Sequence, residues 1–231
     1  LIGDLEGLLD ALSIDKALVV GHDWGALVTW QMALLAPERM AGAITLNIPF
    51  LKRPPINPIT FMRLKLGKDF YIVNFQDSDE ADRRFAEDPA RFIDVMMRKR
   101  RINRGEPKKA RGKRRPLSLL EMLDRKDPGG EVLLTPFELK YYADAFAAGG
   151  FTGPINWYRN FNRNWERLAD VPQRVDQPAL MIHGQYDMVP ASENITQFVP
   201  NVEVVTLPCG HWIQQELPEE TNAHIKRWVV A

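Results

Sequence analysis

The sequence is poor in the residues that build many specialised sites. It has one cysteine, Cys209, and four histidines in 231 residues. A single thiol excludes an internal disulfide and a cysteine-based zinc site. It fits a reducing compartment, so the cytoplasm is the expected location. Neither sign of charge is in excess: 30 Lys and Arg balance 30 Asp and Glu, so no global field draws in nucleic acid or a membrane surface. No apolar run approaches the roughly 20 residues of a membrane span. A phosphate loop, a dinucleotide fingerprint and a metal-ligand cluster are all lacking, so no cofactor and no metal are expected. What is present is an ordinary globular composition, 45% hydrophobic and 26% charged. The length allows one sizeable core and an inserted subdomain.

The apolar pattern alternates strand with helix at both ends of the chain. Residues 16–21 read as a short buried parallel strand, 24–36 as a helix ended by Pro37, and 41–48 as a second strand. Strands at 178–184 and 202–207, a short helix at 192–198 and a closing helix at 218–228 restore the rhythm. The expected class is α/β with a mostly parallel sheet, its core formed by residues 1–48 and 177–231. Between them, 49–176 opens with Pro49, Pro54, Pro55 and Pro58 and then reads as helical and aromatic-rich, with amphipathic stretches at 61–66 and 137–146. It is taken as an inserted helical cap. Its block 98–115 is dense in Lys and Arg without interleaved aromatics, which reads as a solvated loop and argues against a nucleic-acid partner.

The chemistry gathers at three strand ends. Gly21-His22-Asp23-Trp24-Gly25 sits between the first strand and its helix, the setting of a nucleophile elbow, with Asp23 where a serine is more familiar. Ser13, Ser118 and Ser192 lack that setting. A carboxylate there can attack an electrophilic carbon with no proton to remove first, forming an ester that water must cleave. An ordinary helix cap is the competing reading of Asp23. Asp187 follows the 178–184 strand and His211 follows the 202–207 strand. Nucleophile, acid and histidine thus come in the chain order of α/β-hydrolases. His211 is the candidate general base and Asp187 the residue that orients it, while His22 and His183 read as structural. The backbone N–H of Trp24 is the candidate oxyanion donor.

Gly21-His22-Asp23-Trp24-Gly25, the Asp187 turn and Gly210-His211 resemble the α/β-hydrolase-fold epoxide hydrolases. In the cap, Asn156-Trp157-Tyr158-Arg159 resembles the segment that carries one of that family's two epoxide-binding tyrosines, and 69–76 resembles the surroundings of the other. The resemblance implies that Tyr158 and Tyr71 donate to the epoxide oxygen, that a hydrophobic pocket includes Trp24, Trp157, Phe75 and Phe50, and that the partners are a small hydrophobic epoxide and water. Two phenols on one oxygen relieve the charge of the alkoxide formed as the ring opens. The implied activity is hydrolysis of an epoxide to a vicinal diol, with the substrate between sheet and cap. The chain opens at Leu1 and no His-Gly-x-Pro segment precedes Gly21. The expectation is therefore a chain without its N-terminal strands and second oxyanion donor, a loss that would lower the activity of the chain in isolation. A haloalkane dehalogenase using the same Asp23 is the nearest alternative. A catalytically inactive fragment acting as a binding module is the second.

Overall fold

The computed structural model describes residues 1–100 and 116–230 of the chain. Most of the basic block at 98–115 lies outside the described residues. Two compact units are found, Leu1–Arg53 with Asp170–Ala231, and Pro54–Ala169. The sequence places these boundaries at 48/49 and 176/177. The difference has a physical cause. Phe50 and Val175 are buried in the core of the first unit, and the Arg53 backbone N–H donates to Gln173 Oε1 at 2.9 Å.

The first unit contains α1 (Ile2–Ala11), β1 (Ala17–His22), α2 (Trp24–Leu35) and β2 (Met40–Leu46). The second carries α3 (Pro58–Leu66), α4 (Tyr71–Asp77), α5 (Glu80–Glu87), α6 (Pro89–Met96), β3 (Arg98–Lys99), α7 (Leu119–Leu123), β4 (Glu131–Val132), α8 (Pro136–Gly149), α9 (Thr152–Arg159) and α10 (Phe161–Arg167). The chain then returns to the first unit with β5 (Ala179–Gly184), β6 (Val202–Leu207), α11 (Ile213–Glu216) and α12 (Pro218–Val230).

Four strands of the first unit form a parallel sheet in the order β1-β2-β5-β6. The register pairs His22 with Leu46, Leu46 with Ile182, and Gly184 with Leu207, so the carboxyl ends of the strands form one row. In open α/β sheets that row is where ligands and reacting groups collect. Both faces of the sheet are covered, which is why β5 is an unbroken apolar run. Ala43 and Met181 face a core with Trp30, Met32 and Val199; Ile44, Leu180 and Ile182 face another with Ile213 and Trp228. β1 departs from the buried strand expected. It lies at an edge of this sheet, and Leu18 and Val20 are 39% and 52% exposed. The helix expected at 192–198 shrinks to a 3-10 turn at Ile195–Gln197.

In the second unit an aromatic core of Phe75, Phe85, Phe151 and Ile155 collects the helices, with Leu119 and Met122 beside it. Two elements escape the amphipathic expectation. On α3 only Ile59 is buried while Phe61, Leu64 and Leu66 are exposed, and on α8 Phe137 and Tyr141 are exposed. The two-residue antiparallel pairing of β3 with β4 has no counterpart in the sequence reading.

Two glycines at the carboxyl ends of the strands are fixed by neighbouring backbone. A Cβ at Gly21 would fall on the carbonyl of Gly25, and one at Gly184 on the carbonyl of Gly210, whereas Gly25 has open space around its missing Cβ. The need for glycine at the elbow therefore rests on Gly21. Gly21→Ala and Gly184→Ala are each expected to lower unfolding free energy by about 3 kcal/mol or to prevent folding. Gly25→Ala should change it by less than about 1 kcal/mol. Denaturant titration of the three variants checks this, and equal midpoints would refute the close-approach account.

Candidate active site

The elbow is one residue long. β1 ends at His22 and α2 begins at Trp24, so Asp23 alone turns the chain, at φ 52° and ψ −117°. A non-glycine residue held there stores on the order of 1–3 kcal/mol of strain. Asp23 occupies the N-cap position of α2, but its side chain makes no capping hydrogen bond. The cap reading of this residue is thereby answered. Its carboxylate, 37% exposed, instead has Oδ2 at 3.4 Å from His211 Nε2. The backbone N–H of Trp24 lies against the same carboxylate.

β5 and β6 deliver the other two members. Asp187 sits in the turn after Gly184, with its N–H donating to the Gly184 carbonyl at 3.0 Å. Its carboxylate is fully buried, and His211 Nδ1 lies 3.1 and 3.2 Å from Oδ1 and Oδ2. A carboxylate only accepts, so Nδ1 carries the proton of that bond and Nε2 is the nitrogen turned to Asp23.

Two residues outside the sequence-derived set hold the His211 backbone. Asn47, directly after β2, is fully buried at φ 68°. Its Oδ1 accepts the Gly184 N–H at 2.8 Å, and its Nδ2 donates to the His211 carbonyl. His22, read from sequence as structural, has Nε2 at 2.8 Å from that same carbonyl. The carbonyl only accepts, so His22 is the Nε2–H tautomer, and its Nδ1 accepts from Gln214 Nε2 at 3.3 Å. The His22 and His211 rings stand 4.8 Å apart, with Trp212 at 5.5 and 5.1 Å from them. A polar residue closing the apolar run 40–46 is the only sequence signal for Asn47. Its partners follow from strand order, which local pattern does not reveal.

The charges are coupled. Burial pushes the Asp23 carboxyl up, but the hydrogen bond and charge of His211, with help from the Trp24 N–H, outweigh it and hold Asp23 below the usual carboxylate range. Burial also disfavours the charged form of His211, yet Asp187 and Asp23 together push it up to about 10. His22 is lowered, chiefly by burial and then by the charge of His211. Cys209 lies buried nearby in sequence, its thiol pushed up to about 12 by burial first and then by Glu216 and Asp187. Among the described residues no group of side chains could hold a metal ion.

The second unit brings the two tyrosines together. Tyr71 opens α4 and Tyr158 lies in the last turn of α9, with ring centroids 5.5 Å apart and edge-on. Phe75 completes a triangle at 5.7 Å from Tyr71 and 5.2 Å from Tyr158. Trp157 is half-buried beside them in sequence. Phe75 and Phe50, expected in the pocket, are each 3% exposed and packed in the cores of their units, Phe50 edge-on to Trp30 at 5.9 Å.

Comparison with known proteins agrees with this architecture. Residues 1–218 match the α/β hydrolase fold family. The chain is 38% identical to epoxide hydrolase A of Mycobacterium tuberculosis, over 96% of this chain and 71% of that protein. It is 34% identical to epoxide hydrolase 3 of Siraitia grosvenorii, over 99% and 74%. The crystal structure of epoxide hydrolase A from Mycobacterium thermoresistibile superposes with a TM-score of 0.86 at 35% identity, covering 100% of this chain and 74% of that one. A parallel sheet bearing an aspartate elbow, an acid–histidine pair at the next strand ends and this degree of likeness lead to one assignment: the chain belongs to the epoxide hydrolases of the α/β-hydrolase fold.

Proposed function

We propose that this chain hydrolyses a small hydrophobic epoxide to a vicinal diol through an ester on Asp23. The observation that carries the reading is the Asp23 carboxylate, raised on a strained turn, spent on no cap and 3.4 Å from a histidine that is itself held by a buried carboxylate. The names of the relatives supply the substrate class.

Ring opening comes first. An Asp23 oxygen attacks one ring carbon from behind, the carbon–oxygen bond of the strained ring breaks, and the leaving oxygen takes a proton from Tyr71 or Tyr158. Ester hydrolysis follows. His211 removes a proton from water, the oxygen adds to the Asp23 carboxyl carbon, and the Trp24 N–H meets the oxyanion. Collapse breaks the bond to the alkoxide, which takes the proton left on the new carboxyl oxygen and departs as the diol, and the Asp23 carboxylate returns with one oxygen from water.

The charges explain how His211 changes role. With a pKa of about 10 it carries a proton in the resting site, where it is shared between a buried carboxylate and a half-exposed one. Alkylation removes the Asp23 charge and with it part of the cause of that elevation. The imidazole then gives up its proton as the phenolate regains one, and it meets water as a base. The base is thus activated by the first step.

Four measurements test this. His211→Gln should still form the ester and fail to cleave it, so intact mass after styrene oxide should rise by one substrate, with turnover reduced on the order of a thousandfold or more. In heavy-oxygen water, single turnover should label Asp23 before the diol; label in the first diol would sink the ester. The third is the pH dependence of stability. A histidine raised in the fold stabilises it fully below its ordinary value of 6.5, and that stability is lost as pH rises toward about 10. The wild type should therefore lose melting temperature across that window more steeply than His211→Gln. By NMR, Asp23→Asn should bring the His211 titration down. An unchanged titration would contradict the charge coupling.

A further inference from the structure

The helix that carries Tyr158 is anchored by the next residue along the chain. Arg159 Nε donates to the Phe75 carbonyl at 2.8 Å, Nη1 to Asp82 Oδ1 at 3.0 Å and Asn156 Oδ1 at 3.1 Å, and Nη2 to the Ser78 carbonyl at 3.1 Å and Asp82 Oδ2 at 2.6 Å. Every N–H of the guanidinium is used, two of them in a bidentate pair with a carboxylate. The pair is largely shielded from solvent, and Arg159 first and Thr152 after it hold Asp82 below the usual carboxylate range. Gln76 adds a bridge of its own, its Nε2 donating to the Ile72 and Tyr158 carbonyls at 3.0 Å each.

The acceptors decide what this fixes. Phe75 lies in the last turn of α4 and Ser78 is its C-cap, so their carbonyls are among those a helix end leaves without internal partners. Tyr71 is one turn before Phe75 on α4, and Tyr158 directly precedes Arg159 on α9. Arg159 and Gln76 therefore join the backbones of the two tyrosine-bearing helices, while Phe75 packs against both rings. A staple needed only for folding could sit anywhere along these helices. This one is built at the residues that set where the phenols stand.

We infer that Arg159 is a positioning residue for ring opening, which acts by fixing Tyr71 and Tyr158 relative to one another through α4. The inference rests on the oxygen-donor roles proposed above. A displacement of about 1 Å in such donors costs on the order of a hundredfold in rate. Lysine keeps the charge for Asp82 but lacks the fork that reaches Phe75, Ser78 and Asn156 together.

The test is rapid-quench single turnover of the intact protein with styrene oxide, following growth and decay of the ester on Asp23. Arg159→Lys should slow ester formation about 10- to 100-fold and leave ester decay within about twofold of wild type. In a Tyr158→Phe background the same change should cost less than about threefold, because the relative placement of two hydroxyls no longer matters once one of them is gone. Equal slowing of both steps, or full additivity with Tyr158→Phe, would overturn the positioning role and leave Arg159 a fold staple. If Arg159→Lys does not fold, Gln76→Leu carries the same test through the Tyr158 carbonyl, with the same two outcomes. Tyr71→Phe and Tyr158→Phe run in parallel. If neither slows ester formation, the donor roles fail and the inference with them; if they do and Arg159→Lys and Gln76→Leu do not, the inference alone fails.

Discussion

Asp23 must turn the chain in a single residue, at a backbone conformation that most side chains avoid, and the arrangement of the first unit follows from holding it there. Gly21 lets the start of α2 come against the end of β1. The Asp23 N–H reaches the Leu46 carbonyl at 3.4 Å, and its carbonyl starts α2 by accepting from Leu27 at 3.2 Å. Asn47 then follows Leu46 and binds both the Gly184 N–H and the His211 carbonyl. The end of β2 is thus the hub: it touches the elbow, the turn that leads to Asp187 and the loop that carries His211. Strain of a few kcal/mol at Asp23 persists because three strand ends over-determine its position.

Electrostatics ties the same groups together. A protonated His211 pairs with both Asp23 and Asp187, so each carboxylate faces a cation although the three groups together keep one negative charge, and this pairing is how a fully buried Asp187 is tolerated. His22 stays neutral by contrast, lowered by burial and by the neighbouring imidazolium. A second cation there would compete with the first, and the fixed Nε2–H tautomer gives His22 a structural task that needs no charge. Two adjacent histidines therefore do different work, set by what their ring nitrogens face.

Much of this was legible in the sequence wherever the information is local. A continuous apolar run gave β5, because a strand covered on both faces has no polar side to show. The strand–turn–helix pattern located Asp23, and chain order located Asp187 and His211. What escaped depends on partners distant in sequence. Asn47 has meaning only once β2 is known to lie between β1 and β5. The exposure of Leu18 and Val20 depends on β1 lying at an edge, which its composition does not encode. Boundaries shifted by several residues because Phe50 and Val175 follow their cores and not the prolines. On α8 the apolar stripe is real, but only Leu139, Tyr142, Ala143 and Phe146 reach partial burial, and Phe137 stays outside.

Cys209 shows what the same burial does to a competing group. Epoxides alkylate sulfur as readily as oxygen when a thiolate is available. The sole thiol of this chain is 2% exposed and remains protonated across the physiological range. On the mechanism proposed above, an enzyme that admits such electrophiles at Asp23 is thereby spared self-inactivation at cysteine, and its one covalent encounter with substrate is confined to a bond that it can itself undo.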